Sequence, residues 1–168
     1  MVRRTLARSS AVAVVCAGPD PYPGYVRASE EVRGAIVHVV QQYYTTRSRA
    51  AAARDATELF SVYPAIAKDE DRSKGINGDA FLMERMRTSD FVSIDADLEA
   101  RDPMLVLVRG DDALVLVHGV EIWHYRYGVP GSGEFFTRLD LRRGPTGWVL
   151  QRTDEQLLSE PRLRTPVP

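Results

Sequence analysis

The chain has 168 residues, 44% of them apolar and 27% charged, which suits one globular domain with a sizeable core. Lys plus Arg number 22 and Asp plus Glu 23, for a formal charge of -1, so no global field draws the chain to nucleic acid or to anionic lipid. The lone cysteine, Cys16, excludes a disulfide or a cysteine-based metal cluster within one chain.

Residues 1–18 have the outline of an export signal: Arg3, Arg4 and Arg8, then the apolar run 11–17 and the small residues Ala17-Gly18. A disordered leader is the competing expectation, so the chain is read as either cytoplasmic or exported. Cys16 is a candidate lipid attachment point, although Val15 precedes it where a lipoprotein signal places a small residue. No later segment approaches the ~18 apolar residues needed to span a bilayer, so any membrane link is at most an N-terminal tether. The stretch 18–24 (GPDPYPG) cannot continue a helix or sit centrally in a sheet and reads as a linker. The expected division is a leader and linker over 1–24, one domain over 25–158, and a flexible tail over 159–168.

Ser29-Glu30-Glu31 offers an N-cap and first-turn acids for a helix from about Glu30. Val32, Ile36, Val39 and Tyr43 recur at helical spacing, and Ala35, Val40 and Tyr44 broaden the stripe. His38, amid valines, is read as a core or boundary histidine. A second helix is expected over 47–60, with Ala52, Ala56, Leu59 and Phe60 on one face and Pro64 ending it. An exposed loop follows over 68–77, then a third helix over about 78–87 with Phe81, Met83 or Leu82, and Met86 inward.

From Phe91 the period changes to two. Val92, Ile94, Ala96 and Leu98 alternate with Ser93, Asp95, Asp97 and Glu99; the acids lack the spacing of a calcium loop. Strands over 104–108 and from 113 flank the turn-forming Arg109-Gly110-Asp111-Asp112, and the second runs to about Tyr127 with a bulge expected near Gly119. Residues 128–133 (GVPGSG) read as a turn with no helix after it and therefore no phosphate loop. Phe135, Thr137, Leu139 and Leu141 then share a face, and Trp148 and Leu150 share a face of the last strand. The expected fold class is α+β, with helices packed on a strongly curved, mainly antiparallel sheet.

The order of elements, the long first helix ending in Tyr43-Tyr44, the helix ending Leu59-Phe60, and the Gly147-Trp148 entry into the last strand after 139–142 (LDLR) together resemble the nuclear transport factor 2-like superfamily, also called the SnoaL-like or cystatin-like cone. The resemblance covers about 30–154 and implies a pocket under the helices. It also implies a range of roles, from isomerases, dehydratases and cyclases to accessory domains that catalyse nothing, so the fold is a weak guide to function.

Strand alternation puts Glu121, Trp123, Tyr125 and Tyr127 on one face and Ile122, His124 and Arg126 on the other. The chemical reading makes Glu121 a general base beside a tyrosine hydroxyl that donates to a developing oxyanion. The plain alternative pairs Glu121 at the surface with Arg138 or Arg152. His124 is a second candidate for acid–base work, with Asp140 a candidate to orient it. The candidate catalytic set is therefore Glu121, His124, Asp140, Tyr43 and Tyr44, and the candidate ligand pocket is Tyr43, Tyr44, Trp123, Tyr125 and Phe135. His38, His118 and His124 lack metal-ligand spacing, and neither a metal nor another cofactor is expected. The leading expectation is a non-catalytic ligand-binding or accessory domain for a small apolar ligand, without nucleic acid. The alternatives are a small-molecule isomerase, dehydratase or cyclase, and a domain that dimerises or binds a partner through its sheet face.

Overall fold

The computed structural model describes residues 21–67, 79, 86 and 90–157. Residues 1–20 of the expected leader, the expected loop over 68–77, most of the expected third helix and the chain from 158 lie outside the described residues.

A single long helix, α1 (Glu30–Ala53), carries the architecture. Ser29 caps it by accepting from the Val32 N–H, Glu30 and Glu31 face the positive end of its dipole, and Arg54 ends it in the left-handed region at φ 57°. The helix does not break after Tyr43-Tyr44, because nothing in residues 45–53 stops it and the Ala-rich run propagates well. Its buried stripe is Ile36, Val40, Tyr43, Tyr44, Thr46, Arg47, Ala50 and Ala51; His38, Ala35 and Ala52 face solvent. The expected second helix is instead two short pieces, α2 (Thr57–Val62) and α3 (Pro64–Ala67). Pro64 opens α3, where its missing N–H costs nothing. Of the expected third helix, Asp79 and Met86 are helical and buried.

The sheet is antiparallel throughout, built from β1 (Val26–Arg27), β2 (Phe91–Asp97), β3 (Leu105–Arg109), β4 (Asp112–Tyr125), β5 (Gly131–Gly144) and β6 (Gly147–Leu157). β4 is its spine. On one side it pairs along its length with β5; on the other its first half pairs with β3 and its second half with β2. β3 and β4 join through the expected tight turn, with Gly110 at φ 60°. GVPGSG is only partly a turn, since β5 begins at Gly131.

The β4–β5 register runs unbroken through Gly119, so no bulge lies there. Gly119 is needed for a different reason: a Cβ at this position would lie 2.6 Å from the Asp97 carbonyl oxygen and 2.8 Å from the Phe135 ring. The irregularities fall in neighbouring strands, between Phe91 and Ser93 of β2 and opposite Asp140 and Leu141 in β6. At the first, Val92 is the extra residue, which turns Val92 outward and buries both Phe91 and Ile94. At the second, Arg152 faces Asp140 while Leu150 faces Leu141, leaving Gln151 unpaired.

Odd-numbered residues of β4 and β5 point at α1: Ala113, Val115, Val117, Trp123, Phe135, Leu139 and Leu141 form one core cluster with Ile36, Val40, Tyr43, Tyr44 and Leu59. Phe91 lies edge-on to Trp123 with ring centroids 5.0 Å apart and tilts against Tyr125 at 4.4 Å, which seals one end of that core.

Candidate functional site

Arg47 occupies a position in the apolar stripe of α1, three residues after Tyr44 and four after Tyr43, where its neighbours are core residues. Its side chain is 5% exposed. The guanidinium reaches three carboxylates from three separate parts of the chain. Nε donates to Asp79 Oδ1 at 2.7 Å, Nη2 to Glu155 Oε1 of β6 at 2.9 Å, and Nη1 to Glu121 Oε1 of β4. The Trp123 indole N–H donates to the other Glu121 oxygen at 3.0 Å. The Tyr43 hydroxyl donates to Asp79 Oδ2. The Tyr44 hydroxyl lies 3.1 Å from Thr137 Oγ1 and 3.4 Å from Glu155 Oε2, and Thr137 donates to the same Glu155 oxygen at 3.2 Å.

Local sequence explains how this cluster fits inside a core. The residues of β5 directly opposite Glu121 and Trp123 are Gly133 and Gly131, which bring no side chain to the interior. Thr137 supplies a small polar group one face-step beyond Phe135. The unpaired Gln151 reverses the parity of β6, so that Thr153 and Glu155 come to the inner face together with Leu150.

The array holds one positive charge and three acids, an imbalance that burial makes expensive. Burial opposes the charge on Arg47, yet Glu155, Glu121 and Asp79 outweigh it and hold the guanidinium well above its ordinary value. Burial pushes the Glu155 carboxyl up to about 7, with Glu121 and Asp79 adding to the rise and Arg47 and Thr137 opposing it. Burial likewise raises Tyr43 and Tyr44, helped by Asp79 and Glu155 respectively, so both phenols keep their protons. Glu155 is the most accessible of the three acids, its side chain 16% exposed against 2% for Asp79 and 1% for Glu121.

A groove of about 600 Å³ runs beside the array, between α1 and β2. Gln41, Tyr44, Thr45 and Ser48 form its helix wall, and Ala96, Leu98 and Met104 lie across from them. Tyr44 belongs to both features: it lines the groove, and its hydroxyl enters the array.

The candidates read from sequence separate into two sets. Glu121, Tyr43 and Tyr44 meet on Arg47; Glu121 is therefore neither at the surface nor paired with Arg138 or Arg152. His124 and Asp140 lie on the outer face and do not meet each other. His124 Nε2 lies 2.9 Å from Asp95, and Asp140 Oδ1 accepts from both Nε and Nη2 of Arg138 at 3.1 and 3.0 Å. Their strand positions explain this, since His124 is opposite Ser93 while Asp140 is opposite Leu114, ten residues away along β4. His118, also on that face, is held between Asp102 at 2.8 Å and Glu134 at 2.6 Å, and these contacts raise its pKa. Trp123 and Phe135 are buried in the core, Tyr125 is half-buried against Phe91, and Tyr44 alone of the five expected pocket residues borders the groove among the described residues. Arg47, Asp79 and Glu155 were absent from the sequence candidates. Arg47 left a signal, a charge within an apolar helical stripe, whereas Glu155 was hidden by the bulge.

A scan against protein-family models finds no match to this chain, and a search of curated proteins finds none either. Solved structures do match. An NTF2-like protein with a cystatin-like fold from Novosphingobium aromaticivorans superimposes with TM-score 0.50 at 21% identity, over 79% of this chain and 85% of that one. The fold is NTF2-like. A candidate aromatic ring hydroxylase from the same organism superimposes on this NTF2-like chain with TM-score 0.53 at 18% identity, over 80% of this chain and 94% of that one. At these identities the likeness concerns the fold, and the chemistry has to be argued from the Arg47 array itself.

Proposed function

We propose that this NTF2-like domain binds a small molecule at the Arg47 array and carries out acid–base chemistry on it, of the isomerase, dehydratase or cyclase kind. The observation that carries the reading is Glu155: it is the array carboxyl with the greatest exposure, it accepts from the hydroxyl of Tyr44, a residue that also lines the groove, and burial raises it to about 7. A group poised there exists in both protonation states at neutral pH. The neutral carboxyl gives its proton to an oxygen of the ligand, and the resulting carboxylate takes a proton from carbon or water, which restores the starting state. Arg47 fixes the Glu155 carboxylate in place, and Asp79 and Glu121 set its proton affinity through their charge. A cluster of buried charges also costs stability that an apolar core would not, which favours a chemical reason for its presence.

This reading departs from enolisation with Glu121 as base. Glu121 is 1% exposed and already accepts from Arg47 and Trp123, and the tyrosine protons are committed to array partners. A second reading, a ligand-binding or accessory domain without turnover, is favoured by the fact that no buried side-chain polar atom among the described residues lacks a hydrogen-bond partner.

Turnover of a panel of hydroxy and carbonyl compounds, followed by NMR between pH 6 and 8, tests the proposal. Loss of any observed turnover by about 100-fold or more in a folded Glu155→Gln variant is the expected result. Turnover that survives the substitution would sink the assignment, and no turnover across the panel would favour the accessory reading.

A further inference from the structure

The charge balance of the array and the direction of its hydrogen bonds specify the kind of ligand it can hold. One guanidinium stands against Asp79, Glu121 and Glu155, and N–H groups of that guanidinium are committed to each of the three. The surrounding donors also point at oxygen within the array: the Tyr43 hydroxyl at Asp79, the Trp123 N–H at Glu121, and the Thr137 hydroxyl at Glu155. An incoming group therefore meets acceptors. The groove makes the same point independently. Its charged lining is Asp95, Asp97 and Glu99 against Arg49; Arg49 is paired with Glu58 at 2.7 Å, Glu99 with Arg33 at 3.6 Å and Asp95 with His124 at 2.9 Å, so acids still outnumber bases. Even with Glu155 carrying a proton, acids outnumber bases both in the array and in the neighbouring groove.

We infer that the ligand of this site presents a positive charge, most simply an amine, to Glu155, the most exposed acid of the array, and that carboxylates and phosphates are excluded. The inference rests on the array being the ligand site. An ammonium group can donate to the Glu155 oxygens, and it relieves the charge imbalance that the fold otherwise carries. A carboxylate would add a fourth negative charge at short range in a poorly screened interior. The same sign applies to chemistry there: the array favours positive charge developing on the ligand, as when a protonated hydroxyl departs as water, over a developing oxyanion.

Benzylamine, benzyl alcohol and benzoate share a ring and differ in charge at one end, so they isolate this property. Titrated into isotopically labelled full-length protein at pH 7.5 and followed by NMR, benzylamine should shift resonances of Tyr44 and the Glu155 region and bind at least about tenfold more tightly than benzoate. Glu155→Gln, checked for native fold by circular dichroism, should weaken the amine about fivefold or more, and added salt should weaken it further. Benzoate binding as tightly as benzylamine, amine binding unchanged by Glu155→Gln, or no binding by any of the three would overturn the inference. The acid–base reading fails separately, through the titration of Glu155 in the unliganded protein, so the two failures are distinguishable.

Discussion

The two faces of β4 carry similar residue types and treat them in opposite ways. Towards α1, Glu121 is buried, shares Arg47 with two other acids, and depends on that guanidinium for its place in the core. Towards solvent, His118 and His124 find carboxylate partners at comparable distances, but water surrounds them and screens the pairs. Leu114 is the exception on the outer face, buried between its cross-strand neighbours Leu107 and Asp140. A hydrogen-bond distance alone therefore says little about how much an ion pair matters; what the partners lose when it breaks is set by burial.

Substitution should expose that difference most strongly at Arg47. Arg47→Leu leaves three acids without their counter-charge and should cost about 3–5 kcal/mol in urea unfolding, or prevent folding altogether. A loss under about 1 kcal/mol would mean that the interior pairs behave like surface pairs. Gly119→Ala tests the same packed interior without touching charge. The added methyl meets the Asp97 carbonyl and the Phe135 ring, and a loss of roughly 1–3 kcal/mol is expected from overpacking.

Glu155 gives the interior a pH dependence of definite sign. Its folded value of about 7 lies above the ~4.3 of an exposed glutamate, so the native state binds more protons than the unfolded state between those values. The stability this group contributes is fully present below about pH 4 and declines as pH rises through about 7, by roughly 1–3 kcal/mol. Urea midpoints measured from pH 5 to 8 should fall for the natural chain, and the Glu155→Gln variant should show a shallower slope. Equal slopes would show that Glu155 is not the titrating group.

The outer face should give the smallest response. His124→Gln removes an exposed contact with Asp95 and should change stability by less than about 0.5 kcal/mol. A larger effect would dissolve the contrast between the faces.

Much of the frame was legible in residue order. The N-cap at Ser29, the tight turn at Gly110, the period-two runs of β4 and β5, and the shared inward face of Phe135, Thr137, Leu139 and Leu141 follow from local chemistry that tertiary packing did not override. The Ala- and Arg-rich run from Arg47 reads as a separate second helix, whereas the structure carries α1 through it to Ala53, with Arg47 on the buried face meeting an acid from each of three distant segments. The site was less legible still. Extra residues at Val92 and Gln151 reverse the inward parity of β2 and β6, and without the pairing register no alternation rule places Glu155 beside Tyr44. Asp79 needed the fold as well, because it lies 32 residues from the arginine it meets.

The role proposed for Glu155 requires a carboxyl group in the core that exchanges a proton near neutral pH. Selective carbon-13 labelling of glutamate, with Glu155 assigned by comparison with Glu155→Gln, allows its side-chain carboxyl to be titrated in the folded protein. A midpoint of about 7 is the expected result. A midpoint near the ~4.3 of an exposed glutamate would contradict it, leaving the Arg47 array an ordinary set of structural ion pairs.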